Sequence, residues 1–236
     1  MSLASPTNTA VLLSDGTKGR CFGKDVGLTA LKHLLPKARE VKERPLNREK
    51  TAERREAGEP ANKKQKTTAN FPIGSGKYPY TKFVAHVWQL LRQELEKGPV
   101  LLVAYSFSCR AVSLIFSEQS NMLTTDDLKL VKQNLKGIVF LSPPCSPTKK
   151  KPSDNAMDFD WSLSYGFVPD CIPMHFVLGE LGSKKQTTFV NSIHSTLIAQ
   201  KRSAITAVKT IQNSKGIFVG CEQKVATFVD SLLLAT

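Results

Sequence analysis

The stretch Val100-Leu101-Leu102-Val103-Ala104-Tyr105-Ser106-Phe107-Ser108-Cys109-Arg110-Ala111 sets the reading of the chain. Residues 100–104 are a continuous apolar, β-rich run, the pattern of a strand buried on both faces of a parallel sheet. Cys109 to Glu118 has the character of a helix. A strand therefore runs through a sharp turn into a helix, with Ser106 at the turn. A serine so placed can be an ordinary helix cap or a side chain presented for chemistry. The elements around it decide between the two.

Outward from this point the chain alternates. Thr9 to Ser14 is a short apolar strand, followed by the turn Asp15-Gly16-Thr17-Lys18-Gly19. Asp25 to Leu35 carries helical spacing and ends at Pro36. Thr81 to Lys97 is a stronger helix, with Val84, Val87, Trp88, Leu91 and Leu95 on one face, stopped by Gly98-Pro99. Gly137 to Leu141 and Ile172 to Leu178 read as further strands. Lys185 to Lys201 reads as a helix, Ala204 to Ile211 as a strand and Cys221 to Leu234 as a terminal helix. Strands separated by helices predict βαβ units and a mostly parallel central sheet in a three-layer α/β domain.

Two stretches break this rhythm. Residues 37–69 are dense in Lys, Arg and Glu, with few large apolar side chains. They cannot bury enough surface to offset their ordering entropy and are expected to be a basic, disordered insertion. Residues 143–171 contain prolines and lysines and are expected to form a lid-like loop region. The whole of 1–236 then reads as one domain carrying these two interruptions.

Composition narrows the classes further. The chain has 236 residues, 41% hydrophobic, with a formal charge of +13. This is a globular balance, with no apolar run of the length needed to span a bilayer. The five cysteines are scattered and lack CxxC spacing, which suits reduced thiols in an intracellular protein. Neither a metal site nor a cofactor motif is legible. Gly74-Ser75-Gly76-Lys77 lacks phosphate-loop spacing, and Asp154, Asp158 and Asp160 lack EF-hand spacing. Lys63, Lys64 and Lys66 make a KKxK-type cluster near Arg54-Arg55, and Lys149-Lys150-Lys151 makes a second. Such clusters serve in nuclear import or as nucleic-acid patches, or are simply solvated. Location is expected to be nuclear if the first is an import signal and cytoplasmic otherwise.

Small residues on either side of a serine let strand and helix backbones approach at a tight turn. Here they are Ala104 and Ser108, giving A-x-S-x-S. With Cys109-Arg110-Ala111 this resembles the G-R-S-M-G-S-R-A-type nucleophile elbow of the dienelactone-hydrolase-like α/β-hydrolases. More narrowly, it resembles the branch of the testis-expressed protein and the non-specific-lethal complex subunit. Ala10 to Gly16, Asn70-Phe71-Pro72, Gly137 to Pro144 and Ile172 to Glu180 resemble the family's other segments in order.

The resemblance implies an α/β-hydrolase fold and a set of roles. Ser106 stands at the nucleophile position. The amides of Phe107 and Gly16 would be the oxyanion donors. Glu180 is the carboxylate nearest the acid position, although the family's acid tends to stand two residues later. The base should follow the strand 204–211, where the sequence is Gln212-Asn213-Ser214-Lys215-Gly216. Ser214 stands where the histidine is expected, and no histidine follows His194. His194 is the remaining surrogate base and would reach the site only from an unwound or displaced helix. His33, His86 and His175 read as packing residues.

Losing a triad member costs about 10⁴- to 10⁶-fold in rate. The expected function is therefore that of a weak or inactive serine hydrolase serving as an interaction module. The alternatives are an active esterase or thioesterase using Ser106, and a basic nucleic-acid-associated protein bound through residues 37–66 and 149–151. Expected partners are proteins meeting the hydrolase-like surface and acidic or nucleic-acid partners of 37–66.

Overall fold

The structure is a computed structural model that describes residues 9–13, 41–44, 80–117, 122–145, 164–216 and 218–235. The expected helix at 25–35, the turn with Gly16, the clusters at Lys63–Lys66 and Lys149–Lys151, and His33 lie outside the described residues, as do Gly74–Lys77 and Asp154–Asp160.

Six strands form one sheet: β1 (Thr9–Leu13), β2 (Val41–Arg44), β3 (Val100–Tyr105), β4 (Leu135–Leu141), β5 (Met174–Gly179) and β6 (Thr206–Ile211). Their order is β2-β1-β3-β4-β5-β6, and every neighbouring pair is parallel. The helices are α1 (Tyr80–Leu95), α2 (Phe107–Ile115), α3 (Thr125–Asn134), α4 (Lys184–Ala199) and α5 (Glu222–Ala235).

The apolar runs read as doubly buried strands are so: every residue of β3 is buried, as are all of β4 but Lys136. Alternate residues enter two cores. Val11, Leu13, Leu102, Ala104, Ile138, Phe140, Met174 and Phe176 pack with α1, α2 and α4. Ala10, Leu12, Leu101, Val103, Val139, Leu141 and Val177 pack with α5. A sheet covered on both faces by helices is the three-layer α/β architecture.

Three expectations change. Val41–Arg44, placed within the basic insertion, is edge strand β2, paired with β1 from Ala10↔Val41 to Leu13↔Arg44. An edge strand is held by backbone hydrogen bonds along one side, so a charged sequence such as VKER can supply it. The end of the lid-like region is core instead: Tyr165 and Val168 are 1% exposed, and Ser164 Oγ donates to Ser113 Oγ of α2 at 2.7 Å. Helix α3 went unread in the sequence. It begins with a capping box in which Thr124 Oγ1 accepts from the Asp127 amide at 3.1 Å and the Thr124 amide donates to Asp127 Oδ2 at 3.0 Å.

Candidate active site

The strand order places the site before any motif does. The chain goes from β1 outward to β2, then returns past β1 to β3. The C-terminal ends of β1 and β3 thus flank the switch point, where open parallel sheets carry their ligand crevice. Ser106 follows β3 directly.

Ser106 has φ 50° and ψ −112°, outside the regions open to an ordinary L-residue. Its amide donates to Leu141 O of β4 at 2.9 Å, and its carbonyl accepts from the Cys109 amide at 3.1 Å. The backbone is thereby held in a reversal between strand and helix. The hydroxyl makes no capping hydrogen bond to α2, so the helix-cap reading does not describe it. Ser108 shows why a serine can replace the elbow's usual glycine. Wholly buried, its Oγ accepts from the Tyr105 amide at 2.8 Å, with Tyr105 O at 2.9 Å and Leu13 O at 3.0 Å in reach of its proton. The turn is pinned to the end of β1. Cys109 Sγ, buried beneath, donates to Ala104 O at 3.3 Å.

Strain of this kind costs about 1–3 kcal/mol. Ser106→Gly is therefore expected to stabilise the fold by about 1 kcal/mol, because the relief exceeds the added chain entropy of glycine. Ser106→Ala keeps the strain and should leave the denaturation midpoint near that of the parent. Urea denaturation of the three proteins checks this, and a destabilised Ser106→Gly would contradict it.

Phe107 opens α2, and the first amides of a helix lack intrahelical partners. Its N–H thus has no intrahelical acceptor, and the oxyanion role is what the resemblance implies for it. Gly16, the second expected donor, lies outside the described residues.

Glu180 follows β5, and its amide donates to Ile211 O at 3.0 Å. Its carboxylate accepts from the Asn213 amide at 2.8 Å. With the Gln212 amide turned so that nitrogen faces the carboxylate, Nε2 donates to both oxygens, at 2.7 and 3.0 Å. The candidate acid is therefore bonded to the loop after β6, where the base is expected, but to amides and not to an imidazole.

Ser214 turns its hydroxyl onto its own loop. It is 0% exposed, its hydroxyl donates to Lys215 O at 2.9 Å and its carbonyl accepts from the Leu181 amide at 2.8 Å. Ser142, which sequence reasoning passed over, stands at the end of β4 with φ 47° and donates from Oγ to Gly216 O. Its positive φ marks the bend that lets this contact form.

His194 is not brought to Ser106. It lies in α4, an unbroken helix, and its Nε2 is 3.0 Å from Thr206 O at the start of β6. Thr206 is in register with Met174, Ile138 and Leu102, four residues below Ser106 and three strands across. At about 3.3 Å per residue and 4.8 Å per strand this is roughly 20 Å. His175, in β5, packs edge-on to Phe228 of α5 at 5.9 Å, and burial lowers its pKa, favouring the neutral ring. Neither imidazole serves the serine.

No protein-family model matches the chain, and no curated relative does. Solved structures match its shape. A dienelactone hydrolase from Anabaena variabilis aligns over 98% of this chain and 88% of that one, at 10% identity and a TM-score of 0.55. A protein of Xanthomonas campestris pv. campestris assigned to the α/β-hydrolase superfamily aligns over 98% and 99%, at 13% identity and a TM-score of 0.53. Esterase 2 of Thermogutta terrifontis aligns over 99% and 86%, at 10% identity and a TM-score of 0.51. With the parallel six-stranded sheet and the strained serine turn, these likenesses establish that the chain has the α/β-hydrolase fold.

Proposed function

We propose that this protein is an α/β-hydrolase-fold interaction module with weak or absent serine hydrolase activity. The observation that carries the reading is the loop Gln212-Asn213-Ser214-Lys215-Gly216. It stands where the base belongs, holds no histidine and is closed by hydrogen bonds to Glu180, Leu181 and Ser142. Without a base the Ser106 hydroxyl stays protonated and is a poor nucleophile. The remaining elbow and helix amides stabilise charge but cannot take the proton.

The charge of +13 supports acidic partners, protein or nucleic acid, engaged through Lys63, Lys64, Lys66 and their neighbours. A nuclear location accords with the same cluster. Contacts of this kind are backbone-directed and salt-sensitive. The second reading, an active esterase or thioesterase using Ser106, draws on the retained strain at that residue, because a strained serine marks a place where function once demanded it or still does.

Hydrolysis of p-nitrophenyl butyrate separates the two. The expected result is the same background rate for the protein and for Ser106→Ala. A parent rate on the order of 10²-fold or more above that of Ser106→Ala would establish the second reading.

A further inference from the structure

The loop after β6 does not stop at Glu180. From Gln212 it crosses the end of β5, where Ser214 O accepts from the Leu181 amide, and reaches the end of β4, where Gly216 O accepts from Ser142 Oγ. Strand β4 is the neighbour of β3, and Ser106 donates its amide to Leu141, the residue before Ser142. Gly216 thus lies against the exit of β4, the strand beside Ser106, while Gln212 and Asn213 remain beside Glu180.

Two glycines face one side chain there. Among the described residues, a Cβ on Gly216 would meet Ser142 Oγ at 3.3 Å and Gln186 Oε1 at 3.5 Å, and nothing else within 4 Å. A Cβ on Gly182 would meet the same Gln186 Oε1 at 3.6 Å, but first Gly179 O at 2.8 Å, a backbone atom that closes this position to a side chain. Gln186 lies in the first turn of α4 and donates from Nε2 to Pro143 O at 2.8 Å. Its amide is therefore tied to the exit of β4, with Oε1 in the space a side chain at 216 would enter. Gly182 is also two residues beyond Glu180, where the resemblance puts the acid.

We infer that Gly216, and not Ser214, is the position from which the general base is missing, and that the Gln186 amide stands in the space the base would enter. This rests on the proposal that the parent protein lacks a base, and it names where the missing group would act. Among the described residues, the neighbours of a side chain at 216 are two side-chain tips and no backbone atom, so an imidazole there meets only groups that can rotate aside. It would take the Ser106 proton as Oγ forms its bond to an electrophile.

The test is fluorophosphonate labelling of Gly216→His, with and without Gln186→Ala. In the labelling step Ser106 Oγ bonds to phosphorus, fluoride leaves and the introduced imidazole accepts the hydroxyl proton. Labelling at least tenfold faster than the parent is expected. It should rise with pH through the ordinary imidazole range near about 6.5, and it should be lost when Ser106→Ala is added. Lys215→His, one residue away on the exposed loop, should give no such gain. Folded Gly216→His proteins that label no faster than a silent parent, or an equal gain from Lys215→His, would overturn the assignment. A parent that already labels rapidly at Ser106 would instead overturn the proposed function.

Should Gly216→His fail to fold, Gln186→Ala in millimolar imidazole serves in its place. Saturable acceleration dependent on Ser106 supports the assignment; none, or acceleration that never saturates, counts against it.

Discussion

Phe140→Ala will cost the fold about 3–5 kcal/mol and lower its melting temperature by about 10 °C. Phe140 is wholly buried in β4. Its ring stacks on Phe176 of β5 at 5.2 Å and meets Tyr165 edge-on at 5.0 Å. Tyr165 closes the triangle on Phe176 at 5.4 Å. Offset and edge-to-face contacts add to the burial of each ring. Alanine would leave a ring-sized cavity that two strands and a helical turn cannot collapse into without breaking sheet register. The loss is a large share of the 5–15 kcal/mol that a domain commonly holds. The same strand delivers Leu141 O to the Ser106 amide and Ser142 Oγ to Gly216, so the site should loosen with it. Urea denaturation checks the magnitude; a loss below about 1 kcal/mol would mean that the cluster is not the centre of this core.

Gly179→Ala is the second large effect, about 3 kcal/mol, and it arises from overpacking instead of a cavity. A Cβ at Gly179 would fall 2.5 Å from Ser214 O and also onto the backbone of Lys215. Backbone carbonyls cannot rotate aside as a side-chain tip can, so the loop after β6 must lift. Lifting it strains the Leu181-to-Ser214 hydrogen bond and the Asn213-to-Glu180 bond. Gly137→Ala supplies the contrast, since the first atom its Cβ meets is a side-chain methyl, Leu101 Cδ1 at 3.2 Å. Thermal unfolding of both proteins should therefore show Gly179→Ala clearly the less stable; equal melting temperatures would contradict the close approach.

What was legible in the sequence follows from where each element's stabilisation comes from. Strands β3 and β4 announce themselves because both faces are buried, and the apolar runs 100–104 and 137–141 record that directly. Strand β2 is held by its ladder to β1, and main-chain hydrogen bonds leave no mark on a sequence like VKER. In helix α3 only Asp127 and Val131 are buried, so no apolar stripe exists to be counted, and its one signal is the Thr124–Asp127 cap. At the site, Ser106 was legible because its turn is local to a strand and a helix that the sequence shows. The loop after β6 was legible as the place lacking a histidine, but not in detail. How the loop lies over the exits of β4 and β5 depends on Ser142 bonding to Gly216 and Leu181 to Ser214, 74 and 33 positions apart in the chain. No spacing rule carries such information. The partner of His194, Thr206 O, is likewise set by how α4 packs beside β6, which no local pattern records.

The central claim is that a strained serine elbow persists here without a base to activate it. Fluorophosphonate labelling of the purified, folded protein beside Ser106→Ala and His194→Ala tests it most directly. The account predicts no labelling of the parent above the Ser106→Ala baseline and no change in His194→Ala. Stoichiometric labelling that disappears in Ser106→Ala would contradict it, and its loss in His194→Ala as well would show that an imidazole placed here at the far edge of the sheet reaches the serine after all.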